Sequence, residues 1–340
     1  MYRQQVNEGR ASSFMELRCS VIVAPMSKVF VTGGAGFIGS HVVEALLGSG
    51  DTVAILDDLS TGKKEWVHPR ARFFEGSITD PETVARVFKQ VKPDILYHLA
   101  AHKDLRVSVD QPAHDTAVNI NGTLNLLTTP QARELKQIIF ASSAAVYGDA
   151  AQIPTPESAL NQPQSPYGIS KLAGEYYLRW FGALNKIPVA VLRLANVYGA
   201  RQDPFGEGGV VAIFTERLLN GKPPVIFGDG KQTRDFVYVA DVAQAMLKAA
   251  AQHADGIFNI ATGTETSVNT IARELLGILS IQIEPRSAPA SAGEQRRSCL
   301  DSAKANTHLH WRARSSFAHG LRETVAWFRA HPGQSKQKSS

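Results

Sequence analysis

Short apolar runs alternate with amphipathic stretches through most of the chain, beginning at residue 28. The runs are typical of buried strands, and the stretches repeat apolar residues three or four positions apart, as on one face of a helix. Strands are predicted at 28–31, 52–56, 72–74, 94–101, 137–142, 189–194, 224–227 and 256–261. Helices are predicted after the first strand, at 81–91, after Pro112, at 167–184 and up to residue 219. This alternation predicts an α/β fold with a doubly wound parallel sheet.

The alternation weakens past residue 196, where a glycine-rich loop and mostly helical segments follow. We therefore expect a smaller C-terminal substrate-binding lobe beside the doubly wound (Rossmann) sheet. The segment 148–166 is predicted to be a long surface loop, and its length suggests a function. We expect a poorly ordered extension at 1–25, upstream of a natural start at Met26, and a disordered tail at 331–340. Between them we expect two parts: a nucleotide-binding domain at 26–195, which the chain rejoins at about 225–265, and a substrate-binding lobe at 196–224 and 266–330.

Composition narrows the class of protein. With 44% hydrophobic and 20% charged residues, the 340-residue chain is typical of globular proteins, and its sequence contains no apolar run long enough to span a membrane. Only Cys19 and Cys299 are present, which excludes a disulfide framework and favours a reducing, cytoplasmic location. The net charge of +5 is spread over scattered lysines and arginines, so we expect no nucleic-acid partner and no membrane partner.

A glycine-rich turn joins the first predicted strand to the first helix. Gly33, Gly36 and Gly39 have the spacing Gly-x-x-Gly-x-x-Gly; they suit a tight turn, close approach to a pyrophosphate and close helix packing. The helix N-terminus that follows offers unpaired N–H groups to a diphosphate. Asp57 ends the second strand, where its carboxylate can accept from both ribose hydroxyls and repel a 2′-phosphate. The pattern predicts NAD rather than NADP, although three glycines in such a turn can also serve packing alone.

Tyr167 and Lys171 stand four residues apart and share one face of a predicted helix. A free tyrosine has a pKa of about 10, and an adjacent cation stabilises its phenolate. Ser143 follows a predicted strand, at the sheet edge where doubly wound folds bind ligands. Alone, Tyr167 and Lys171 also fit a surface pair and Ser143 a backbone cap. Together they predict hydride chemistry at a carbinol: Tyr167 takes the hydroxyl proton, Ser143 bonds the same oxygen and Lys171 also binds the nicotinamide ribose.

Five motifs resemble those of the extended short-chain dehydrogenases/reductases, and within them the nucleotide-sugar epimerases related to UDP-glucose 4-epimerase. They are TGGAGFIG at 32–39, ASSAAVYG at 141–148, YGISK at 167–171, LRLANVYG at 192–199 and GDGKQTRDF at 228–236. The resemblance covers residues 26–328. It implies a UDP-sugar substrate, a tightly held NAD, 4-epimerisation through a transient 4-keto sugar, no metal, and a homodimer formed through the helices after Pro112 and at Tyr167.

The resemblance also implies roles for individual residues. Cofactor contacts beyond the glycines and Asp57 are expected at Phe37, Ile38, Ser77, Ile78, Ala100, Lys103 and Asn119. Contacts with the nucleotide-sugar are expected at Ser143, Asn196, Gly209, Val210, Arg234 and Ser298. Arg234 would pair with the diphosphate, as a partly closed cleft favours; alone, it could equally form a structural ion pair with Asp235.

The residues after Ser143 distinguish the branches of this family. The 4,6-dehydratases carry an Asp-Glu pair there and the UDP-glucuronate decarboxylases a Glu, whereas this chain has Ala144 and Ala145. Without these carboxylates, elimination and decarboxylation lose their acid and base, while epimerisation needs neither. The alternatives left open are a dehydratase, decarboxylase or reductase acting on a nucleotide-sugar, and an NAD-binding regulator without catalysis.

Three stretches depart from the family pattern, and one of them is HWRA at 310–313, where Gly-Trp-x-Pro is usual. Ser77 stands where an Asp usually contacts adenine, and Ser291 where a second diphosphate-binding Arg is usual. Arg286, Arg296 or Arg297 could compensate for the latter. Ser298 stands where some epimerases have a bulky aromatic residue, so the sugar pocket has room for an N-acetyl group.

Overall fold

The computed structural model describes residues 26–205, 209–290 and 295–332. The predicted extension at 1–25, the loop residues 206–208, Ser291 and residues 333–340 of the predicted tail lie outside the described residues. Everything that follows concerns the described part of the chain.

Strands and helices alternate as the hydrophobic pattern predicts. The strands are β1 (Lys28–Thr32), β2 (Thr52–Asp57), β3 (Arg72–Glu75), β4 (Ile95–His98), β5 (Gln137–Ser143), β6 (Val189–Leu194), β7 (Asn196–Tyr198), β8 (Val225–Phe227), β9 (Thr233–Tyr238), β10 (Gly256–Ile260), β11 (Glu265–Ser267), β12 (Arg286–Ala288) and β13 (Arg297–Ser298). The α-helices are α1 (Phe37–Gly48), α2 (Pro81–Val91), α3 (Leu105–Asp110), α4 (Pro112–Thr116), α5 (Gly122–Thr128), α6 (Pro166–Asn185), α7 (Val210–Leu219), α8 (Val239–Ala251), α9 (Val268–Leu279), α10 (Ala303–Leu309) and α11 (Phe317–Ala330).

Seven of these strands form one parallel sheet in the order β3-β2-β1-β4-β5-β6-β10. The chain runs outward from β1 to β3, then returns to β4 on the other side of β1. This reversal between β1 and β4 makes a topological switch point, and doubly wound folds bind their ligands at the carboxyl ends of the strands there. The predicted fold class is therefore confirmed.

Local sequence signals explain the boundaries that were predicted well. Asp80 caps α2 by accepting a hydrogen bond from the Glu82 N–H, with Pro81 as the first helical residue. Lys92 ends the same helix in the left-handed region. The inner strands of the sheet are buried on both faces, between a core under α1 and α8 and a second core under α2, α5 and α6, which is why they read as unbroken apolar runs.

Three predicted elements differ from the structure. The fourth strand was predicted over 94–101 but ends at His98, and α3 follows soon after at Leu105. The helix predicted after Pro112 is interrupted by a π-helical turn, Ala117–Asn121, between α4 and α5. Strand β8 lies outside the main sheet and pairs with β12.

The remaining strands build small sheets beside the main one. Strands β7, β11 and β13 all pair with β9, and α7, α9 and α11 pack together over an apolar cluster of their own. Within the predicted return at 225–265, α8 packs on the main sheet and β10 lies in it. The division of the chain into two lobes stays a prediction. None of the described helices is long and apolar enough to cross a membrane.

Candidate cofactor-binding and active site

The turn after β1 has the close geometry that the glycine spacing predicts. Gly33 has φ +74°, and a Cβ built on it would lie 2.6 Å from the Ala100 backbone nitrogen. A Cβ on Gly39 would lie 2.0 Å from the Gly33 carbonyl oxygen. Helix α1 begins after Gly36 without a side-chain cap and without an acidic residue in its first turn. Its N-terminus therefore keeps N–H groups and a positive dipole end for an anionic ligand, so these residues fit a dinucleotide diphosphate.

Asp57 lies at the carboxyl end of β2 and is buried. Its two carboxylate oxygens accept hydrogen bonds from the Ala35 and Leu59 N–H groups, each at 2.9 Å. Burial raises the pKa of Asp57, and these two backbone hydrogen bonds act in the opposite direction. The carboxylate thus ties the glycine turn to β2 and keeps acceptor capacity for a ribose.

A cavity of about 490 Å³ opens at the switch point. Predicted residues on its wall are Gly33, Gly36, Phe37, Ile38, Gly39, Asp57, Ile78, Ala100, Lys103, Tyr167 and Lys171. Among the predicted cofactor residues, Ser77 and Asn119 are outside this lining, and so is Ser143. The structure thus brings the glycine turn, the acidic end of β2 and the tyrosine–lysine pair to a single cavity.

Tyr167 and Lys171 occupy the first two turns of α6. Ser165 caps this helix by accepting from the Gly168 N–H at 3.1 Å, which fixes where Tyr167 enters the site. Ser143 ends β5, where its hydroxyl oxygen accepts a hydrogen bond from the Ala145 N–H at 3.2 Å and lies near the Tyr167 side chain. The Lys171 ammonium lies 4.5 Å from the centroid of the Phe140 ring, within cation–π range.

Burial is the largest influence on the pKa values of both Tyr167 and Lys171. It raises the pKa of Tyr167; the nearby Ser143 hydroxyl acts in the opposite direction, and the Asp115 carboxylate adds to the rise. The lowering of the tyrosine pKa that was expected from the neighbouring ammonium is therefore not found, because desolvation of the phenolate dominates. Burial also lowers the pKa of Lys171 to about 8, against the carboxylates of Glu175 and Asp115.

Asn119 lies behind the cavity wall, on the π-helical turn. Its side-chain oxygen accepts from the His102 N–H at 2.8 Å, and its amide nitrogen lies 2.9 Å from Asp115 Oδ1 and 3.0 Å from Ser170 Oγ. These contacts join the segment after β4 to α6, so Asn119 positions the wall of the cavity rather than lining it. A π-helical insertion often marks such a site.

Three of the predicted sugar-side residues lie on the small sheets, whereas Ser143 ends β5 of the main sheet. Arg234 on β9 and Ser298 on β13 are Cα partners, and Asn196 on β7 pairs with Phe236, two residues beyond Arg234. Gly209 precedes α7, which begins at Val210. The backbone thus places Asn196, Arg234 and Ser298 on neighbouring strands.

Two of the three arginines that could compensate for Ser291 already have carboxylate neighbours. Arg297 contacts Glu265 through Nε at 2.9 Å and Nη2 at 2.5 Å, and Arg296 reaches both carboxylate oxygens of Asp229 at 3.2 Å. Arg286 lies exposed on β12. A diphosphate on these strands would compete with Asp229 for Arg296 and with Glu265 for Arg297.

Sequence reasoning missed several residues around the site. His102, His114, Asp203 and Phe205 line the cavity. His102, Asp203 and Phe205 lie in segments without a recognisable pattern, and nothing in the helix predicted after Pro112 distinguished His114. Glu175 contacts the Ser142 hydroxyl, directly beside Ser143. The four-residue spacing from Lys171 was a signal that could have found Glu175. Of the described residues, no three His, Cys, Asp or Glu side chains are grouped to hold a metal ion.

A dinucleotide-type turn, an acidic strand end and a Tyr-Lys pair around one cavity, with Ser143 at the end of the neighbouring strand β5, define an NAD-dependent enzyme of the short-chain dehydrogenase/reductase class. The chain belongs to the NAD-dependent epimerase/dehydratase family, whose model matches residues 29–261. NAD is its cofactor.

Relatives match nearly the whole chain. A putative UDP-glucose 4-epimerase of Methanocaldococcus jannaschii is 42% identical, with 88% of this chain and 98% of that protein covered. The crystal structure of UDP-glucose 4-epimerase from Thermotoga maritima with UDP-glucose is 45% identical with a TM-score of 0.85, covering 89% of this chain and 98% of that one. The Thermus thermophilus UDP-glucose 4-epimerase in complex with NAD is 40% identical with a TM-score of 0.83, covering 88% and 98%.

Proposed function

We propose that the protein interconverts UDP-glucose and UDP-galactose by inverting carbon 4, with NAD retained through each turnover. The observation that carries this proposal is that Ser143 lies close enough to Tyr167 to lower its pKa, in a site where the two residues after the serine are Ala144 and Ala145. The site holds groups for proton transfer at a carbinol but no carboxylate directly after the serine. The UDP-glucose and NAD named for the similar structures support this substrate and cofactor.

The chain supplies proton transfer and orientation. When NAD is bound, the chemistry it supplies is reversible hydride acceptance at carbon 4, which gives a transient 4-keto sugar. Tyr167 takes the proton of the 4-hydroxyl group and later returns it, and Ser143 donates a hydrogen bond to the same oxygen. Lys171 offsets negative charge on the phenolate, and burial keeps water from this transfer. Gly33, Gly36 and the N-terminus of α1 would hold the diphosphate of NAD, with Asp57 at the adenosine ribose.

The N-acetyl forms of UDP-glucose and UDP-galactose are two further candidate substrates, and Ser298 is the residue that bears on them. The side chain is small and only partly buried beside Arg234, which leaves space for an N-acetyl group on the sugar. Ala144 and Ala145 argue against a dehydratase, a decarboxylase or a reductase. The presence of Ser143, Tyr167 and Lys171 together argues against an NAD-binding regulator without catalysis.

A substrate panel tests this function. Purified protein is incubated with UDP-glucose, UDP-galactose, their N-acetyl forms and the matching dTDP-sugars, and products are separated while absorbance at 340 nm is followed. We expect the two 4-epimers to reach equilibrium without net formation or consumption of NADH. Accumulation of a keto product would favour a dehydratase or decarboxylase, and stoichiometric NADH consumption would favour a reductase.

We also infer a homodimer and a cytoplasmic location. The outer face of α6 exposes Ile169, Tyr176, Trp180 and Leu184, each more than half accessible. A contiguous apolar strip of this size is typical of an interface. Sedimentation should give twice the 36.9 kDa chain mass, and Trp180→Glu should shift it to the monomer. A wild-type monomer at micromolar concentration would contradict the dimer.

A further inference from the structure

A pair of opposite charges is buried behind the candidate catalytic residues. Glu175 on α6 and Arg193 on β6 have side chains that are 2% and 1% exposed. The guanidinium donates to both oxygens of the carboxylate, from Nε at 2.9 Å and Nη2 at 2.6 Å. Such a two-bond contact fixes the orientation of both side chains.

Glu175 stands on the same helical face as the tyrosine–lysine pair. It follows Lys171 by four residues and Tyr167 by eight, so the three side chains occupy successive turns. Any rotation or slide of α6 that moved Lys171 would also pull Glu175 from its buried partner. The carboxylate thus fixes the helix that carries the catalytic pair.

The same carboxylate also holds the strand that carries Ser143. Ser142, its immediate neighbour, donates its hydroxyl to Oε1 of Glu175, the oxygen that also accepts from Arg193 Nε. Ser142 and Arg193 are Cα partners in the β5–β6 pairing. One buried group therefore joins α6, β5 and β6 at the edge of the sheet where the site lies.

Arg193 extends this connection away from the site. Its guanidinium stacks 4.6 Å from the centroid of the Tyr147 ring, and the Tyr147 hydroxyl donates to Asn259 at 2.7 Å. Asn259 in turn donates to the carbonyls of Thr155 and Asp301 at 2.9 and 3.0 Å. The network reaches the loop after Ser143 and the chain that follows β13.

Several charged or titratable groups face Lys171. They are Glu175 and Tyr167 on its own helix, Asp115 on α4, and His98 on β4. Burial lowers the pKa of Lys171, and Glu175 is the strongest group acting against it, followed by Asp115. Burial also lowers the pKa of His98 to about 3, so this ring stays neutral.

Stability alone does not explain a fully buried ion pair. Desolvation can exceed the attraction between the ions, and replacement by apolar residues of similar volume is often neutral or stabilising. The charge of Glu175 is placed instead where it favours an ammonium that burial opposes.

We propose that Glu175, oriented by Arg193, is a positioning residue that keeps Lys171 charged beside Tyr167 and holds the strand end that presents Ser143. This inference rests on the proposed epimerase function. If the proposal holds, removing the negative charge of Glu175 lowers the pKa of Lys171 even when the packing is preserved.

Three variants separate charge from packing. Glu175→Gln keeps the shape and hydrogen-bonding capacity but removes the charge. A Glu175→Met/Arg193→Met double variant replaces the pair by apolar side chains, which protects the fold if an unpaired Arg193 destabilises it. Asp94→Asn is the control, because it removes a carboxylate that bonds Lys136 and the Lys28 N–H at the opposite end of the sheet.

The readout is kcat/KM relative to wild type across pH. An opposite charge nearby shifts a pKa by one to three units, and we expect about one unit here because Arg193 shares the carboxylate. Glu175→Gln and the double variant should therefore lose about tenfold in relative kcat/KM between pH 6.5 and pH 9, while Asp94→Asn stays constant. A merely structural pair would lower activity by the same factor at every pH.

A second readout does not depend on turnover. The titration of the Lys171 side chain is followed by heteronuclear NMR of the NAD-bound protein, with Lys171→Met for assignment. A pKa lowered by about one unit in both Glu175 variants supports the proposal; an unchanged titration overturns it. If the wild type epimerises no UDP-sugar, the proposed function fails while this titration still decides the role of Glu175.

Discussion

The two sides of the candidate cleft are built differently. On the main sheet, Asp57, Tyr167 and Lys171 meet at one cavity, and backbone or buried side-chain contacts hold them there. On the small sheets, Arg296 and Arg297 are 65% and 59% exposed and lie against carboxylates. The difference teaches that the contacts of the cofactor side are formed in advance, whereas Arg296 and Arg297 would have to exchange their carboxylate partners if they were to bind a diphosphate.

The largest effect is expected on the preformed side, at Tyr167, the proposed catalytic tyrosine. Tyr167→Phe removes the proton acceptor, so kcat should fall by about 10² to 10⁴, with NAD content unchanged. Tyr177→Phe on the exposed face of α6 is the matched control and should keep full activity. Wild-type turnover by the Tyr167 variant would revive the non-catalytic alternative.

A smaller loss is expected at the ribose end of the same wall. Asp57→Asn places a donor amide against the Ala35 and Leu59 N–H groups and removes the charged acceptor, so NAD affinity should fall by about 10- to 100-fold. Calorimetric titration measures this. Asp51→Asn at the other end of β2 should leave affinity unchanged, and equal affinities for all three proteins would remove Asp57 from the cofactor site.

The buried lysine gives a pH-dependent prediction. With a pKa of about 8, Lys171 is charged below that pH and loses its proton above it. A guanidinium stays charged, so the activity of Lys171→Arg relative to wild type should rise by about tenfold per pH unit above pH 8. A ratio that stays constant from pH 7 to 10 would show that the charge of Lys171 is not required.

The smallest effect is expected on the sugar side. Hydrogen bonds from Arg297 and Thr233 lower the pKa of Glu265 to about 2, but the pair is partly exposed and screened. Glu265→Gln should therefore change the free energy of unfolding by no more than about 1 kcal/mol. A carboxylate with a lowered pKa stabilises the fold above its unfolded value near 4.5 and loses that contribution as pH falls toward 2. Denaturation at pH 7 and pH 3 should show the difference shrinking; a larger difference at pH 3 would contradict this sign.

The glycine turn and the helix face of Tyr167 and Lys171 could be predicted from the sequence because their signals are local. Gly33 and Gly36 lie in one turn, Gly39 lies in the first turn of the helix that follows, and Tyr167 and Lys171 share one helix face. The sugar side depends on contacts between distant segments: Arg297 meets Glu265 across 32 residues and Arg296 meets Asp229 across 67. Short strands that pair at such separation leave no period in the sequence, and the π-helical turn around Asn119 depends on packing against α6. Those parts could not be predicted from pattern alone.

The central claim is that hydride leaves carbon 4 and returns to the same carbon. Conversion of UDP-galactose deuterated at carbon 4 tests it most directly, with the product examined by mass spectrometry and NMR. The account predicts UDP-glucose that retains deuterium at carbon 4, with no deuterium lost to water and no net NADH. Loss of the label to solvent would contradict the account, because it would show that a proton rather than a hydride is removed from that carbon.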